Sequence, residues 1–391
     1  MNTPMFREGV RNLNREGFIA RLHDEAPIYK DADGFWVVSR YEDAREVLLD
    51  HARFSSRAMG GPELGLPLLT DDPPRHSSLR GLLSKAFTPA RIAQMRPEIT
   101  ALAADLVARI EPGGEIDIVE ALAMPLPVTV IARMMGIPES DRERFKRWSN
   151  AITGLMSGPV SPERTQALGE LRAFFLQVIA DRRAAPGSDL VSALTRAEEA
   201  GVQLSDDEIV GFSVLLLVAG NETTTNLLGS LLHRLANATP EDESWRALRA
   251  DPARALLAIE EALRLDSPAQ LVMRRARTHT TIAGHAIAEG DLLMVYLGAA
   301  NRDPSRWDAP ALFDLVGERP RHMAFGFGVH ACIGAPLARL EAEVAMGALL
   351  ARFEHVEMGQ GRVRRLPSGV LFGFRSLPLL FRELAPETRT G

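Results

Sequence analysis

Thiols are almost absent from this 391-residue chain, which holds one cysteine, Cys332. A lone cysteine excludes an internal disulfide framework and fits a reducing compartment. It also excludes an iron–sulfur cluster held by four cysteines of the chain. Long apolar runs are missing as well. The N-terminal stretch MNTPMFREGVRNLNREGF lacks a signal-peptide core, and the most apolar segment, VLLLVAG at 214–220, is too short to cross a bilayer. Basic charge is not in surplus: 45 Lys and Arg stand against 51 Asp and Glu, a formal net charge of -6. Neither nucleic acid nor membrane is indicated as a partner. No repeat or low-complexity linker divides the chain. With 46% hydrophobic residues, it is expected to build a sizeable core as a single domain over 1–391, in the cytoplasm.

Helical patterns dominate, interrupted by short strand-like pieces: FWVVSR (35–40), LLMVYLGAA (292–300) and a hairpin in TIAGHAIAEGD (281–291), with Gly284 and Gly290 at its turns. Three helix starts carry signals. Asp251-Pro252 combines an N-cap with a first-turn proline. Ser205 and Glu208 form a capping box, with Leu204 and Ile209 as a hydrophobic staple. The helix that follows is apolar nearly all round and is expected to be buried and central. Asp72-Pro73 opens a third helix, placing His76 and Arg80 four apart on one face. The Gly- and Pro-rich stretch at 54–72 carries Leu64, Leu66, Leu68 and Leu69, so it either packs over the core or lines a pocket.

Cys332 sits in FGFGVHACIG, residues 325–334. Gly326, Gly328 and Ala331 match a dinucleotide fingerprint, but no convincing strand precedes them and no βαβ unit follows. A nucleophilic thiol with His330 as base, a buried apolar thiol and a ligated thiolate remain. The stretch Gly334-Ala335-Pro336 opens a helix, so free N–H groups and the positive dipole end would stabilise a thiolate at Cys332. Glycines at 326, 328 and 334 leave room for a flat macrocycle. These features favour a ligand over a buried thiol without excluding the latter.

The pattern Phe325-x-x-Gly328-x-His330-x-Cys332-x-Gly334 resembles the haem-binding signature of the haem-thiolate monooxygenases, the cytochrome P450 family. In the family's order, Glu261-Ala-Leu-Arg264 resembles its ExxR motif and Ala219-Gly-Asn-Glu-Thr223 its oxygen-activation motif. His76 and Arg80 resemble its haem-contacting helix. The likeness runs from the FWVVSR strand to the apolar segment near Phe372. It implies a mainly α fold with small β-sheets, a triangular prism with a long central helix over the haem. It implies haem b, with Cys332 as the iron ligand and His76, Arg80, Arg274 and His330 at the propionates. Ala219, Phe325, Gly326 and Gly334 would lie against the macrocycle. Glu261 and Arg264 would pair with a downstream arginine. The chain departs from the family here: the usual arginine position falls on Gly317, and Arg319 is the candidate replacement.

Glu222 and Thr223 form an acid–alcohol pair in an otherwise apolar helix, costly to bury unless satisfied. Consecutive residues do not share a helix face, so joint use implies a distortion near Gly220. By resemblance, Thr223 holds dioxygen and Glu222 delivers protons; the competing reading of Thr223 is a back-bond to a helix carbonyl. The implied activity inserts one atom of O2 into an apolar small molecule bound by Leu68, Leu69, Leu215, Val218, Ala219, Val272 and Leu371. No flavin or nicotinamide unit is recognisable, so electrons are expected from a ferredoxin and its reductase, with Arg75, Arg321 and Arg339 as docking candidates. The rival readings are a haem-dependent peroxygenase, isomerase or dehydratase, and a non-catalytic haem sensor or carrier.

Overall fold

The computed structural model describes residues 15–58, 67–152, 161–199, 202–237, 244–316 and 320–384. Leu64, Leu66, Gly317 and Arg319 lie outside the described residues, as does most of the N-terminal stretch. Four helices position the site: α1 (Arg75–Ala86), α2 (Asp206–Ala236), α3 (Arg254–Leu265) and α4 (Ala335–Arg352).

The capping box forms as the sequence predicts. Ser205 Oγ accepts from the Glu208 N–H, and Glu208 Oε2 accepts from the Ser205 N–H at 2.9 Å. From that cap, α2 runs for 31 residues and is buried over most of its length. It packs against the Pro125–Met134 and Pro162–Ala184 helices as well as α3 and α4. Two of its buried polar groups find partners: Asn221 Nδ2 donates to Ser149 Oγ at 2.6 Å, and Thr225 Oγ1 donates to the Ala123 carbonyl at 3.1 Å. The distortion expected at Gly220 does not occur, and α2 is α-helical throughout. Gly220 instead admits a neighbour, since a Cβ there would come within 2.7 Å of Ile131 Cδ1 on the Pro125–Met134 helix.

Two other helix starts shift inward. Tertiary contacts claim the Asp72 carboxylate, which accepts from Ser55 Oγ (2.6 Å), the Ser56 N–H (2.9 Å) and Arg277 Nη2 (2.5 Å). It therefore caps nothing, and α1 begins at Arg75. Asp251 Oδ1 accepts the Ala253 N–H at 3.2 Å, closing a turn that delays α3 to Arg254.

The larger sheet comprises β1 (Ile28–Lys30), β2 (Trp36–Val38), β3 (Phe54–Ser55), β4 (Val272–Ala276) and β5 (Leu292–Val295), in the order β1-β2-β5-β4-β3. Strands β2 and β5 are parallel, pairing Trp36 with Leu293 and Val38 with Val295; the other pairs are antiparallel. Strand alternation decides which arginine of β4 turns inward: Arg274 is buried and Arg275 exposed. The predicted hairpin joins Thr280–Ile282 to His285–Ile287. Ala283 (φ 44°) and Gly284 (φ 83°) both take left-handed backbone at its turn.

Candidate active site: the Cys332 loop and a partnerless basic cradle

The Cys332 loop is fixed by its own backbone. The Cys332 N–H donates to the Phe325 carbonyl at 2.8 Å, and the Ala331 N–H donates to the Gly328 carbonyl at 3.1 Å. Gly326 (φ 67°) and Gly328 (φ 70°) adopt the left-handed backbone this path requires. At Gly328 a Cβ would also strike the Leu48 carbonyl oxygen at 2.6 Å. Beyond the loop, the first N–H groups of α4 reach the thiol: Gly334 and Ala335 both donate to Sγ. Burial pushes the Cys332 thiol up, while those N–H groups and the charges of Arg80 and Arg339 pull it down.

Cys332 is open to a solvent-sized sphere, yet protein encloses it on nearly every side. Both descriptions hold if the side chain faces an internal hollow rather than the outer surface. Ala219 is likewise exposed although it lies mid-way along a buried helix. Each exposure marks open space beside the residue where packed core would otherwise be expected.

Around this space lie basic side chains without counter-charges. His76 is 1% exposed and neither ring nitrogen has a hydrogen-bond partner. His330 Nε2 is equally orphaned, and the two rings meet at a 47° tilt with centroids 4.1 Å apart. Burial, then the charges of Arg274 and His76, push His330 down to about 3; burial, then Arg80, lower His76. Burial also lowers Arg80, and brings Arg274 down to about 10. Among the described residues no carboxylate forms an ion pair with either arginine; Arg274 Nη1 donates only to its neighbour's carbonyl, Met273, at 2.8 Å. Buried polar groups without partners are rare. Two orphaned histidines beside two arginines that lack a carboxylate partner, all able to donate hydrogen bonds, fit the two propionates of haem b.

The predicted Glu261–Arg264 pair forms and is almost fully buried, with Nε–Oε2 at 2.8 Å and Nη2–Oε1 at 2.7 Å. Arg264 also donates to the carbonyls of Asn301 (3.1 Å), Pro310 (2.8 Å) and Leu312 (2.9 Å). All its donors are occupied, so it ties α3 to the chain leading toward the Cys332 loop.

On α2 the two motif residues separate. Thr223 lies one turn beyond the open Ala219 and is half-buried, whereas Glu222 is buried. Thr223 Oγ1 donates to the Ala219 carbonyl at 2.5 Å, the back-bond weighed as the competing reading. Among the apolar candidates, Leu69, Leu215 and Val272 are half-open, whereas Leu68, Val218 and Leu371 are buried. Leu68 holds a positive φ of 73°.

The three docking arginines differ. Arg75 pairs with Asp71 (3.2 Å) and Glu208 (2.9 Å), and the exposed Arg321 lies over the Phe327 ring. Arg339 is not a free surface charge. Its Nε and Nη2 grip the Glu260 carboxylate at 2.6 and 2.8 Å. Sequence reasoning missed Glu260 and its second partner, His322; the adjacent acid of the Glu260-Glu261 doublet was the available signal.

The sequence model of the Cytochrome P450 family matches residues 28–241 and 257–381. The chain is 36% identical to the cytochrome P450 monooxygenase PikC of Streptomyces venezuelae over 93% of its length and 90% of that protein's. It is also 36% identical to the erythromycin C-12 hydroxylase of Saccharopolyspora erythraea, over 93% of both chains. The solved structure of cytochrome P450 CYP109Q5 from Chondromyces apiculatus superposes with a TM-score of 0.89 at 34% identity, covering 98% of each chain.

Proposed function

The chain belongs to the cytochrome P450 family and is a haem-thiolate monooxygenase, and from that premise we propose how its own residues serve the reaction. The whole chain acts as one haem domain. Cys332 is the iron ligand, and Arg80, Arg274, His76 and His330 receive the propionates. Haem b, when bound, supplies the redox chemistry that activates dioxygen. The orphaned His76 and His330 beside the Cys332 loop carry this reading, because nothing among the described residues satisfies their ring nitrogens.

The protein's remaining work is to orient and to move protons. Thr223 Oγ1 donates its hydrogen bond to the Ala219 carbonyl, which leaves the hydroxyl's lone pairs free to accept. Rotation of the hydroxyl turns the same atom into a donor. Glu222, buried on another face of the undistorted helix, is the ionisable member of the pair and would reach that hydroxyl only through a solvent relay. Leu215, Ala219 and Val272 exclude water and favour a neutral apolar substrate.

Among the described residues no helix is long and apolar enough to cross a membrane. Electrons come from separate carriers, a ferredoxin and its reductase, in the cytoplasm, where a lone thiol stays reduced. Ferrous protein under carbon monoxide should show the strongly red-shifted Soret band of thiolate ligation, and Cys332→Ser should lose it. A mutant that kept the band would remove Cys332 from the role. Substrates should be found by screening neutral apolar compounds for a spin-state shift in the haem absorbance.

A further inference from the structure

Behind the Cys332 loop lies a cavity of about 550 Å³ whose wall includes Cys332, Phe325, His322, Arg339 and Glu260. Three of these residues form one charged unit. Glu260, on α3, accepts two hydrogen bonds from Arg339, on α4, and one from His322 Nε2 at 3.1 Å. His322 Nδ1 accepts the Ala324 N–H at 3.2 Å, so the ring's proton sits on Nε2 and is directed at Glu260. The Arg339 guanidinium lies 4.6 Å from the centroid of the Phe325 ring. The carbonyl of Phe325 is the one that accepts the Cys332 N–H. The unit therefore grips the Cys332 loop at Phe325 and sets a charge near the sulfur.

The charges are coupled through space. Arg339 and Cys332 line the same cavity, so the cation sits within electrostatic range of the sulfur. Glu260 feels burial first, yet the hydrogen bonds of Arg339 and His322 outweigh it and hold the carboxyl down at about 2. Both members of the pair are thus ionised throughout the physiological range. An arginine alone would withdraw electron density from the sulfur; an arginine held by a carboxylate withdraws far less.

We propose that Glu260 and Arg339, with His322 steering the carboxylate, are positioning residues that set how strongly the Cys332 thiolate donates to the haem iron. Glu260 moderates the pull of Arg339, and Arg339 moderates the repulsion of Glu260. The inference rests on Cys332 being the ligand, as proposed above. Groups beyond the first ligand are established levers on metal sites.

The test is the one-electron reduction potential of the haem-loaded protein in three variants. Glu260→Gln keeps an acceptor for Arg339 but removes the negative charge, so the potential should rise. Arg339→Gln removes the cation and leaves Glu260, so the potential should fall. Each shift should correspond to roughly a tenfold change in the reduction equilibrium, about 59 mV for one electron. The double variant should return close to the wild-type value. A purely structural brace would move both single variants in the same direction, and that result, or no shift in either, overturns the proposal. The carbon monoxide band of each variant separates the two readings. If the wild type lacks the thiolate-type band, Cys332 ligation fails; if the variants keep the band and the potential does not split, only this inference fails.

Discussion

Glu341 lies on α4, 2% exposed, with Oε2 unpartnered, and burial alone pushes its carboxyl up to about 8. In the unfolded chain the same group titrates near 4.5. The folded state therefore binds the proton more tightly, so its contribution to stability is full below pH 4.5 and drains away as pH rises to about 8. Each unit of such a difference is worth about 1.4 kcal/mol. Glu341→Gln should flatten the decline of denaturant stability between pH 5 and 8 and leave the acid end unchanged. An unaltered slope would show that this carboxyl ionises equally in both states. Residues differ sharply in how readable they were. Cys332, Glu261 and Arg264 stand in local patterns, and Arg274 was indicated by the family resemblance. Glu260 meets His322 and Arg339 from 62 and 79 positions away, a proximity that only folding creates.

Elements were legible where local chemistry acts without competition. The capping box of α2 forms because both its partners lie within one turn. Asp72 reads as a helix cap until Ser55, Ser56 and Arg277 arrive from the sheet and take its carboxylate. Gly220 reads as a flexible point, yet its missing Cβ is what lets Ile131 approach. Those contacts were invisible in the chain's own neighbourhood. The continuous helix has a bearing on catalysis, since Thr223 and Glu222 act from different faces rather than from a shared bulge. Thr223→Ala removes the acceptor on the open face, so reducing equivalents should be lost as peroxide at the expense of product. Glu222→Gln keeps the shape but not the exchangeable proton, so it should slow turnover, by ~10²–10⁴-fold if it is a general acid, more than it uncouples it. The ratio of product to NAD(P)H consumed, with peroxide yield, reports both. Wild-type coupling and rate in both variants would make the pair structural.

At the scale of the whole molecule, electron supply from a separate ferredoxin and reductase, as proposed, means that purified protein with NADH or NADPH alone should not turn over substrate. Addition of a ferredoxin and its reductase should restore activity, and self-sufficient turnover would sink the idea. The basic cradle also reaches beyond chemistry. His76 and His330 hold unmet hydrogen-bonding capacity, and burial penalises the charges of Arg80 and Arg274, so without an anion there the fold bears these costs unaided. A ligand that binds only the folded chain stabilises it by mass action, by about 2.7 kcal/mol at a hundredfold excess over its dissociation constant. If the cradle takes the propionates as proposed, chains made while haem is scarce should populate the unfolded state more often and meet proteases sooner. The amount of this protein, and not just its activity, would then follow the availability of iron.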